Sequence, residues 1–465
     1  MRVDPVVESK LSPTQLAEIL RLRVYRDDVN VGELATLITD AIFLGTRLSV
    51  ENLVKAVELL GPFEVDSGKR IWQFTDGVWL PDGLDELTRR VIFCTGHRYR
   101  KDYAAQAASV ISARKPKING LGPREFINVK NGMLNWSTLE LEPHRPDFYS
   151  TYQLKMDWNP TAECPAIDEW MDQTFDPELH LLLHEIAGVT WFPGMGFQKA
   201  IVFIGGGKNG KGTFLRLCGA ALPASALSAI DPKFLTTNRF MSAELFGKTA
   251  NLCGDIERAT FGMTAEFKKI TGDDPLNAER KMGQPFTFTN QATMLFSGNK
   301  MPPSRDTSHG WFRRWLIVPM YKQISGPPDP TLETRLHSEL EGLLVKAVKG
   351  LKTAMDNGGF SEPEICARAL QDYEFSCNSS ALFINEKLEF SKNQKAVLSK
   401  NRLVDAYNAF CLERKLEVDS RQQFYKMLEA LGSETIEERW IKKGGGENER
   451  GYRGVSFRNL SGGLY

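Results

Sequence analysis

A glycine-rich loop in the middle of the chain has the residue types that bind phosphate groups. It follows an apolar run at 200–204 and precedes a segment with a helical pattern. In such an arrangement, backbone N–H groups and the positive end of the helix converge on phosphate oxygens, and a lysine reaches the β and γ phosphates. A glycine-rich turn without a ligand is the alternative. The predicted nucleotide-binding residues are Gly205, Gly206, Gly207, Lys208, Asn209, Gly210, Lys211, Gly212 and Thr213.

The loop departs from the usual phosphate-binding pattern at one position. That pattern places Ser or Thr directly after the lysine, where the hydroxyl coordinates Mg²⁺. This chain has Gly212 there, and Thr213 follows one residue later. In a helix of 3.6 residues per turn, Thr213 points about 100° further round the axis. Thr213 is therefore a candidate Mg²⁺ ligand whose direct coordination is open.

A second apolar run ends in two acidic residues. The segment TANLCGDIE at 249–257 has the pattern of a buried strand. In an extended chain, Asp255 and Glu257 point to the same side. One acid at such a strand end holds Mg²⁺, and the other orients the attacking water. We assign Asp255 to Mg²⁺ and Glu257 to the water; an ordinary strand end with two solvated acids is the alternative.

Two further predicted strands carry polar residues that suit a nucleotide site. ATMLFSGN ends in Asn299, whose amide can hydrogen-bond the γ-phosphate or the water. In GWFRRWLIVP, Arg313 and Arg314 precede a strand, where an arginine can reach the nucleotide of a neighbouring subunit and stabilise the transferring phosphoryl group. Taken alone, Asn299 is more typical of a turn, and the two arginines are equally typical of surface ion pairs.

The composition is that of a soluble protein with several domains. The chain has 465 residues, so we expect roughly two to four domains. Basic and acidic residues both number 58, which removes any global charge argument for nucleic-acid binding. No apolar stretch is long enough to span a bilayer and the start lacks an apolar leader, so we expect a cytoplasmic protein without a membrane partner. The cysteines form no CxxC pair, which argues against a zinc ribbon.

Helical patterns surround the loop on both sides. Ser12 and Gln15 form a capping-box pattern, and helical periodicity continues to about Leu60. Further helices are predicted for 85–117, for 164–192 as two segments, and for 332–360.

Two dipeptides predict β-hairpins before the loop. Asp76 with Gly77, and Asn131 with Gly132, lie between apolar and aromatic flanks. Both pairs accept positive φ values, which two-residue hairpin turns require. The region before the loop is therefore expected to be mixed α and β.

The last part of the chain has the pattern of a winged helix. Helices are predicted at 401–415 and at 419–431, the second capped by Asp419 or Ser420. A strand, a glycine-rich tip and another strand follow at 438–457. This shape docks DNA, although protein docking is the alternative. The candidate phosphate contacts are Lys442, Lys443 and Arg453.

The order of these parts resembles superfamily 3 helicases, and among them the phage/plasmid primase-helicase group that includes the poxvirus replicative helicase-primase. The parts are GGGKNGKGT, NLCGDIE, FKKITGDDPLNAERKMGQPFTF, LFSGN and WFRRWLIVP, and the likeness is most specific from 199 to 320. The stretch 126–170 also resembles the segment before the motor in that group. The resemblance thus extends over about 126 to 465, whereas 1–60 has no clear counterpart.

The resemblance implies a hexameric ring of AAA+-like motors, with ATP between subunits and single-stranded DNA in the central channel. It makes Lys211 the Walker A lysine, Asp255 the Walker B acid and Asn299 the sensor, and it makes Arg313 or Arg314 the arginine finger. It also implies a DNA-tracking hairpin, for which a solvated turn is the alternative. It assigns Lys281 to this hairpin, with Arg280 beside it, and Lys268 matches a further basic position of the same block, so all three are implied DNA contacts.

We therefore expect an α/β protein with an AAA+-like P-loop NTPase core, an α+β N-terminal domain and a C-terminal winged helix. The predicted units are an N-terminal domain at 1–163, a helical collar or oligomerisation segment at 164–197, the motor at 198–325, a helical segment at 326–380 and the winged helix at 381–465.

The expected function is that of a replicative DNA helicase of a phage or plasmid, which uses ATP and Mg²⁺. It would act as a homo-hexamer on single-stranded and forked DNA. No DxD-type carboxylate pair or zinc module is evident, so we expect a separate primase or polymerase as partner. Two alternatives remain: an ATP-switched origin-binding or loader protein that does not unwind DNA, and a P-loop phosphotransferase that acts on a small substrate.

Overall fold

The computed structural model describes most of the chain. It covers residues 10–17, 19, 30–192, 194, 197–238, 240–256, 261, 264–279, 285–304, 306–325, 327, 329–391, 396–414, 416, 418–432, 435–442 and 448–458. Of the predicted site residues, Glu257, Arg280, Lys281 and Lys443 lie outside these ranges, and so does the side chain of Lys442.

Helices and strands alternate along the described chain. The α-helices are α1 Val31–Thr36, α2 Val50–Leu59, α3 Gly83–Thr95, α4 Lys101–Ser112, α5 Pro165–Thr174, α6 His180–Trp191, α7 Lys211–Ala220, α8 Pro232–Thr237, α9 Thr264–Ile270, α10 His309–Phe312, α11 Leu332–His337, α12 Leu340–Asn357, α13 Glu364–Cys377, α14 Ser379–Lys387, α15 Lys400–Arg414 and α16 Arg421–Leu431. The strands are β1 Phe43–Leu44, β2 Arg47–Leu48, β3 Phe63–Val65, β4 Ile71–Thr75, β5 Val78–Leu80, β6 Phe126–Val129, β7 Gly132–Asn135, β8 Leu141–Glu142, β9 Ala200–Ile204, β10 Leu227–Ser228, β11 Ala250–Cys253, β12 Pro275–Ala278, β13 Phe286–Thr289, β14 Thr293–Gly298, β15 Trp315–Pro319, β16 Leu388–Phe390, β17 Val397–Ser399, β18 Glu437–Lys442, β19 Asn448–Arg453 and β20 Val455–Phe457.

The N-terminal region is less continuously helical than predicted. The expected capping box is present: the Gln15 N–H donates to Ser12 Oγ at 3.2 Å, and the Ser12 N–H donates to Gln15 Oε1 at 3.1 Å. The prediction of helical structure up to about Leu60 is wrong in part, because β1 and β2 form a short antiparallel hairpin before α2. The single helix expected over 85–117 is also wrong, because Gly96, with a φ of 55°, separates α3 from α4.

The two predicted hairpins are confirmed. β4 and β5 pair around Asp76 and Gly77, whose φ values are 48° and 84°. β6 and β7 pair around Asn131 and Gly132. Each hairpin belongs to a three-stranded sheet, in the orders β3-β4-β5 and β6-β7-β8. Asn128 Nδ2 donates to the Gly77 carbonyl oxygen at 2.9 Å, so the two sheets are joined by a direct hydrogen bond.

A five-stranded parallel sheet in the order β10-β11-β14-β9-β15 carries the loop and the predicted catalytic residues. β14 therefore lies between β9, which precedes the loop, and β11, which leads to Asp255. Ile201 and Phe203 face one hydrophobic core, and Val202 faces another on the opposite side of the sheet. Because both faces are buried, the strands are continuous apolar runs. The predicted α/β fold class is confirmed.

The collar segment and the C-terminal helical segment pack on one face of this sheet. α6 and α12 approach each other at Gly188, where a Cβ would lie 2.2 Å from the Ala347 carbonyl oxygen. Leu183 and Leu344 from these helices belong to the same core as Ile201 of β9. Within the described residues, 164–192 therefore shares its hydrophobic core with the parallel sheet.

The C-terminal part folds as a winged helix, as predicted. α14, α15 and α16 share a core with the antiparallel sheet β17-β19-β18, in which β18 and β19 form the wing. Ser420 caps α16: its Oγ accepts from the Gln423 N–H at 3.3 Å, and the Gln423 side chain accepts from the Ser420 N–H at 3.0 Å. Asp419, the other candidate cap, instead accepts hydrogen bonds from Ser380.

All seven cysteines are free thiols, and most of them are buried. Among the described helices, none combines the length and the apolar character that a membrane span requires.

Candidate nucleotide site

The predicted phosphate loop connects β9 to α7 at the carboxyl edge of the sheet. Lys211 is the first residue of α7 and is buried, with 6% of its surface exposed. Its Nζ donates to the Gly205 carbonyl oxygen at 2.7 Å and to Asn209 Oδ1 at 2.8 Å. Asn209 Nδ2 donates in turn to the Met320 carbonyl oxygen at 3.0 Å. The ammonium group therefore lies inside the loop and is held by neutral oxygens.

Two glycines permit this tight path. A Cβ on Gly205 would lie 2.2 Å from Asn209 Nδ2 and 2.4 Å from the Met320 carbonyl oxygen. Gly210 has a φ of 79°, and a Cβ there would lie 2.5 Å from Thr174 Cγ2. Both the close approach and the left-handed backbone favour glycine.

The backbone of the loop is open to an anion. Within the described chain, the N–H groups of 206–213 donate to no protein acceptor. Successive free N–H groups before a helix form a concave site for phosphate oxygens. Burial lowers the pKa of Lys211, and the negative charge of Asp255 opposes that shift. A bound anion would favour the charged form of Lys211 further.

Asp255 and Asn299 lie at the same edge of the sheet as the loop. Their strands, β11 and β14, run parallel to β9, and β14 is paired with both. The Gly205 N–H donates to the Gly298 carbonyl oxygen at 3.2 Å, which places the start of the loop beside Asn299. The fold thus brings Asp255 and Asn299 to the edge that carries Lys211, although they follow Lys211 in the chain by 44 and 88 residues.

The strand before Asp255 is shorter than predicted. β11 ends at Cys253, and Asp255 has a φ of 50°, so the chain is not extended at Asp255. The prediction that the strand extends over 249–257 is therefore wrong, and the assignment of Glu257 to the water stays a prediction, because Glu257 lies outside the described residues. Asp255 is exposed, and within the described chain its carboxylate makes no hydrogen bond or ion pair.

Arg216 occupies the space beside Gly212. A Cβ on Gly212 would lie 3.0 Å from Arg216 Nη1, and Arg216 Nη2 donates to Thr213 Oγ1 at 3.5 Å. An ion pair of 2.5 Å with Glu333 holds the guanidinium group in place. The Thr213 hydroxyl is thus in contact with Arg216, and its role as a Mg²⁺ ligand stays a prediction.

Arg313 and Arg314 lie at the opposite, amino edge of the sheet, directly before β15. Arg313 is exposed, and its Nη1 donates to Gln198 Oε1 at 2.8 Å. Arg314 is buried, with 7% of its surface exposed, and its Nη1 donates to Thr271 Oγ1 at 3.3 Å. Of the two arginines, Arg313 is therefore the one whose side chain is accessible from outside the chain.

Lys199, which the sequence did not single out, lies at the same edge. It precedes β9 and lines a cavity of about 220 Å³ with Arg124 and Asp273. Burial lowers the pKa of Lys199, Glu362 opposes this, and the charge of Arg313 lowers it further. Within the described chain, Arg124, Lys199 and Arg313 form no ion pair. A single lysine before an apolar strand is no sequence signal, because only the sheet topology brings it beside Arg313.

Lys268, a predicted DNA contact, is held by other protein groups. Its Nζ forms an ion pair of 2.5 Å with Asp306 and donates to Ser308 Oγ at 3.2 Å. Burial alone would raise the pKa of Asp306, but hydrogen bonds from Lys268, Ser308 and Thr264 hold it far below its usual range. Lys268 therefore fixes the loop before α10 in this structure.

The other predicted DNA contacts lie on two hairpins. β12 and β13 pair antiparallel, and the tip that carries Arg280 and Lys281 lies outside the described residues. Arg453 lies in β19 and is partly buried. Lys442 ends β18, and Lys443 begins the part of the wing that is not described.

Two family models match separate parts of the chain. Residues 59–176 match the D5 N-terminal-like family, and residues 203–314 match a family of unknown function, DUF5906. The first match begins well before residue 126, where the resemblance read from the sequence begins. The second runs from β9 to Arg314 and so includes both edges of the sheet. No curated protein is significantly similar in sequence.

Solved structures of the C-terminal region of NrS-1 are similar in fold. An A-form apo structure has a TM-score of 0.51 at 12% identity, and the match covers 86% of this chain and 98% of that chain. Another A-form apo structure has a TM-score of 0.49 at 12% identity, with 86% and 97% covered. At this identity the likeness concerns the fold. In the region before the phosphate loop, the D5 N-terminal-like match supports the relation to phage primase-helicase replication proteins that the order of motifs indicated.

Proposed function

We propose that this chain is an ATP-dependent replicative DNA helicase that acts as a hexameric ring with ATP sites between subunits. The observation that supports this most is the distribution of polar residues over the two edges of the sheet. Lys211, Asp255 and Asn299 lie at the carboxyl edge, and Arg313 lies at the amino edge, across strands of five residues. Such a strand is about 16 Å long. Arg313 therefore cannot serve the loop of its own chain and would serve that of a neighbour.

The carboxyl edge would bind Mg-ATP. The open N–H groups of 206–213 suit phosphate oxygens, and Lys211 adds a cation near the β and γ phosphates. The exposed Asp255 carboxylate suits Mg²⁺, which usually takes one or two carboxylates together with phosphate oxygens and water. When bound, Mg²⁺ supplies neutralisation of the phosphate charge. Asn299 would hydrogen-bond the γ-phosphate or the attacking water.

The amino edge would supply the cation that completes a neighbour's site. Arg313 lies close enough to Lys199 and to Arg314 for its charge to lower the pKa of both. An anion from another subunit relieves this repulsion, and an arginine supplied in trans stabilises charge on the transferring phosphoryl group. Arg314 would act as a positioning residue, since its guanidinium group is buried against Thr271.

DNA would bind at two places. The β12–β13 hairpin would present Arg280 and Lys281 to a single strand in the ring channel, and the wing would present Lys442 and Lys443 to forked DNA. A few cations that contact phosphates suffice for movement along a strand without base readout. A separate primase or polymerase would then act on the unwound strands.

The alternative functions use only part of this arrangement. A phosphotransferase requires the carboxyl edge and leaves the cations of the amino edge and the winged helix without a role. A loader protein uses both edges but needs no strand separation. The cluster of Lys199, Arg313 and Arg124 at an exposed edge therefore favours a shared site over the phosphotransferase.

Three measurements on the purified chain test the proposal. We expect single-stranded DNA to raise ATP turnover, forked duplex to be separated only with hydrolysable ATP, and particle mass to reach that of six chains with ATP. DNA-independent turnover would point to the phosphotransferase. DNA-stimulated turnover without strand separation would point to the loader. A monomer under all conditions would contradict the shared site.

A further inference from the structure

A short segment after β15 lies against the phosphate loop, and we call residues 320–324 the strap. The Met320 N–H donates to the Ile204 carbonyl oxygen at 2.7 Å, and the Met320 carbonyl oxygen accepts from Asn209 Nδ2 at 3.0 Å. Further on, the Ile324 N–H donates to the Lys208 carbonyl oxygen at 2.7 Å. Both ends of the strap are therefore fixed to the loop, and the residues between them border the phosphate site.

The middle of the strap is anchored on its other side. Lys322 Nζ donates to the Phe175 carbonyl oxygen at 2.6 Å and lies 3.7 Å from a carboxylate oxygen of Asp176. Gln323 Nε2 lies 4.0 Å from the position of a Cβ on Gly206. The contacts of Lys322 hold the middle of the strap against the residues that follow α5, in addition to the hydrogen bonds at its ends.

Two large apolar side chains of the strap are exposed to solvent. Tyr321 is 66% exposed and Ile324 is 43% exposed. By contrast, Trp170 and Phe175, the aromatic residues near Gly210, are buried in the core. The strap therefore exposes apolar side chains beside the loop, whereas the aromatic residues near Gly210 do not.

The chemistry of a nucleotide indicates what this surface would meet. When the phosphates lie in the loop, the base lies one ribose away and must rest on a surface that borders the loop. A base has a flat apolar face, and it stacks well on aromatic side chains whichever of the bases it is. An exposed tyrosine with an aliphatic neighbour, on a backbone fixed to the loop, suits this purpose.

We propose that Tyr321 and Ile324 form the base platform of the nucleotide site, with the purine stacked on the Tyr321 ring and its edge against Ile324. This proposal rests on the proposed function, since it assumes that the loop binds the phosphates of ATP. It adds the residues that would distinguish a nucleotide from a bare polyphosphate.

The test compares ligands with and without a base by calorimetry on the full chain. Mg-ATP, Mg-ADP and Mg-tripolyphosphate are titrated into wild type, Tyr321→Ala, Tyr321→Phe and Ile324→Ala. We expect Tyr321→Ala to weaken ATP and ADP about tenfold and to leave tripolyphosphate unchanged, because stacking on the ring is lost while the loop persists. Tyr321→Phe should bind ATP like wild type, and Ile324→Ala should weaken it by about threefold. Trp440→Ala, which removes an aromatic side chain of the wing that is 65% exposed, is the matched control and should change nothing.

Each other outcome overturns a defined part of this proposal. Unchanged ATP affinity in Tyr321→Ala, or an equal loss for ATP and tripolyphosphate, excludes the base platform. A loss of ring mass in Tyr321→Ala at unchanged affinity assigns the strap to a subunit contact instead. If wild type binds tripolyphosphate as tightly as ATP, the platform fails while the phosphate site stands. If wild type binds neither ligand, the proposed function itself fails.

Discussion

The two edges of the parallel sheet hold their cations in opposite ways. At the carboxyl edge, Lys211 is buried and its ammonium group donates to Gly205 and Asn209 of its own loop. At the amino edge, Arg313 is exposed and donates to the neutral Gln198, beside Lys199, which has no ion-pair partner among the described residues. The cation of the carboxyl edge is thus enclosed by its own loop, whereas Arg313 and Lys199 at the amino edge form no ion pair within the described chain, although Glu362 lies close enough to oppose the burial that lowers the pKa of Lys199.

This difference indicates how the work would be divided between subunits. A preformed loop can bind phosphates without help, because its donors are already oriented and need no reorganisation. An exposed cationic edge gains most when an anion of another molecule approaches it. ATP binding would therefore be a property of one chain, and ATP hydrolysis a property of two.

The largest expected effect is that of Lys211→Ala, which tests the carboxyl edge. We expect ATP turnover to fall to background, because Lys211 is the only buried cation of the loop among the described residues. We also expect the ring to assemble as in wild type. Turnover is measured by phosphate release and assembly by particle mass. Lys352→Ala, an exposed lysine of α12, is the control and should behave like wild type. Persistent turnover in Lys211→Ala would mean that the loop does not hold the reacting phosphates.

The next largest effect is that of Arg313→Met, which tests the amino edge. We expect turnover to fall on the order of 10³-fold, the lower end of what an arginine supplied in trans contributes. The affinity for Mg-ATP should stay close to that of wild type, because the phosphate loop is unchanged. Calorimetry and phosphate release on the same preparation separate the two quantities. An equal loss of affinity would place Arg313 in the binding of ATP rather than in its hydrolysis.

A smaller loss is expected for Asp255→Asn, which keeps the shape of the side chain and removes its charge. Turnover should fall about 10²-fold, equivalent to ~3 kcal/mol of transition-state stabilisation, and the Mg²⁺ concentration for half-maximal rate should rise. Phosphate release across a Mg²⁺ titration measures both. Asp356→Asn on α12 is the matched control. An unchanged Mg²⁺ requirement would remove Asp255 from the metal site.

The smallest effect is expected for Arg314→Met, which sharpens the comparison between the two adjacent arginines. Arg314 is buried, and its Nε has no hydrogen-bond partner in the described chain, so methionine keeps the packing and removes a poorly satisfied charge. We expect the free energy of unfolding to change by about 1 kcal/mol or less, and turnover to fall far less than in Arg313→Met. Chemical denaturation and phosphate release are the measurements. A collapse of turnover equal to that of Arg313→Met would contradict the distinction drawn from burial.

Much of this architecture was predictable because it depends on local patterns. The strand, the glycine loop and the helix around Lys211 are predicted by an apolar run, the spacing of the glycines and the start of a helical pattern. The winged helix is predicted by two helical patterns, a cap at Ser420 and a hairpin pattern. Turn dipeptides located both N-terminal hairpins, since their φ requirements are local.

What the sequence could not predict depends on contacts between distant segments. The place of Lys199 beside Arg313 arises from the pairing of β9 with β15, more than 100 residues apart in the chain. The early end of β11 and the positive φ of Asp255 are local, by contrast, and Gly254 with Asp255 is a pair of turn-favouring residues that the apolar pattern of 249–257 masks. The different burial of Arg313 and Arg314 depends on α9, which brings Thr271 against the second arginine.

The most direct test of a shared site is the ATP turnover of mixed rings made from Lys211→Ala and Arg313→Met chains. Each variant alone has a defect at every interface, but a mixed ring contains interfaces that combine an intact loop with an intact arginine. If interfaces act independently, random mixing makes roughly a quarter of them intact, so the mixture should recover up to that share of wild-type turnover. Turnover no higher than the sum of the two separate variants, in particles shown by mass to contain both chains, would contradict the account.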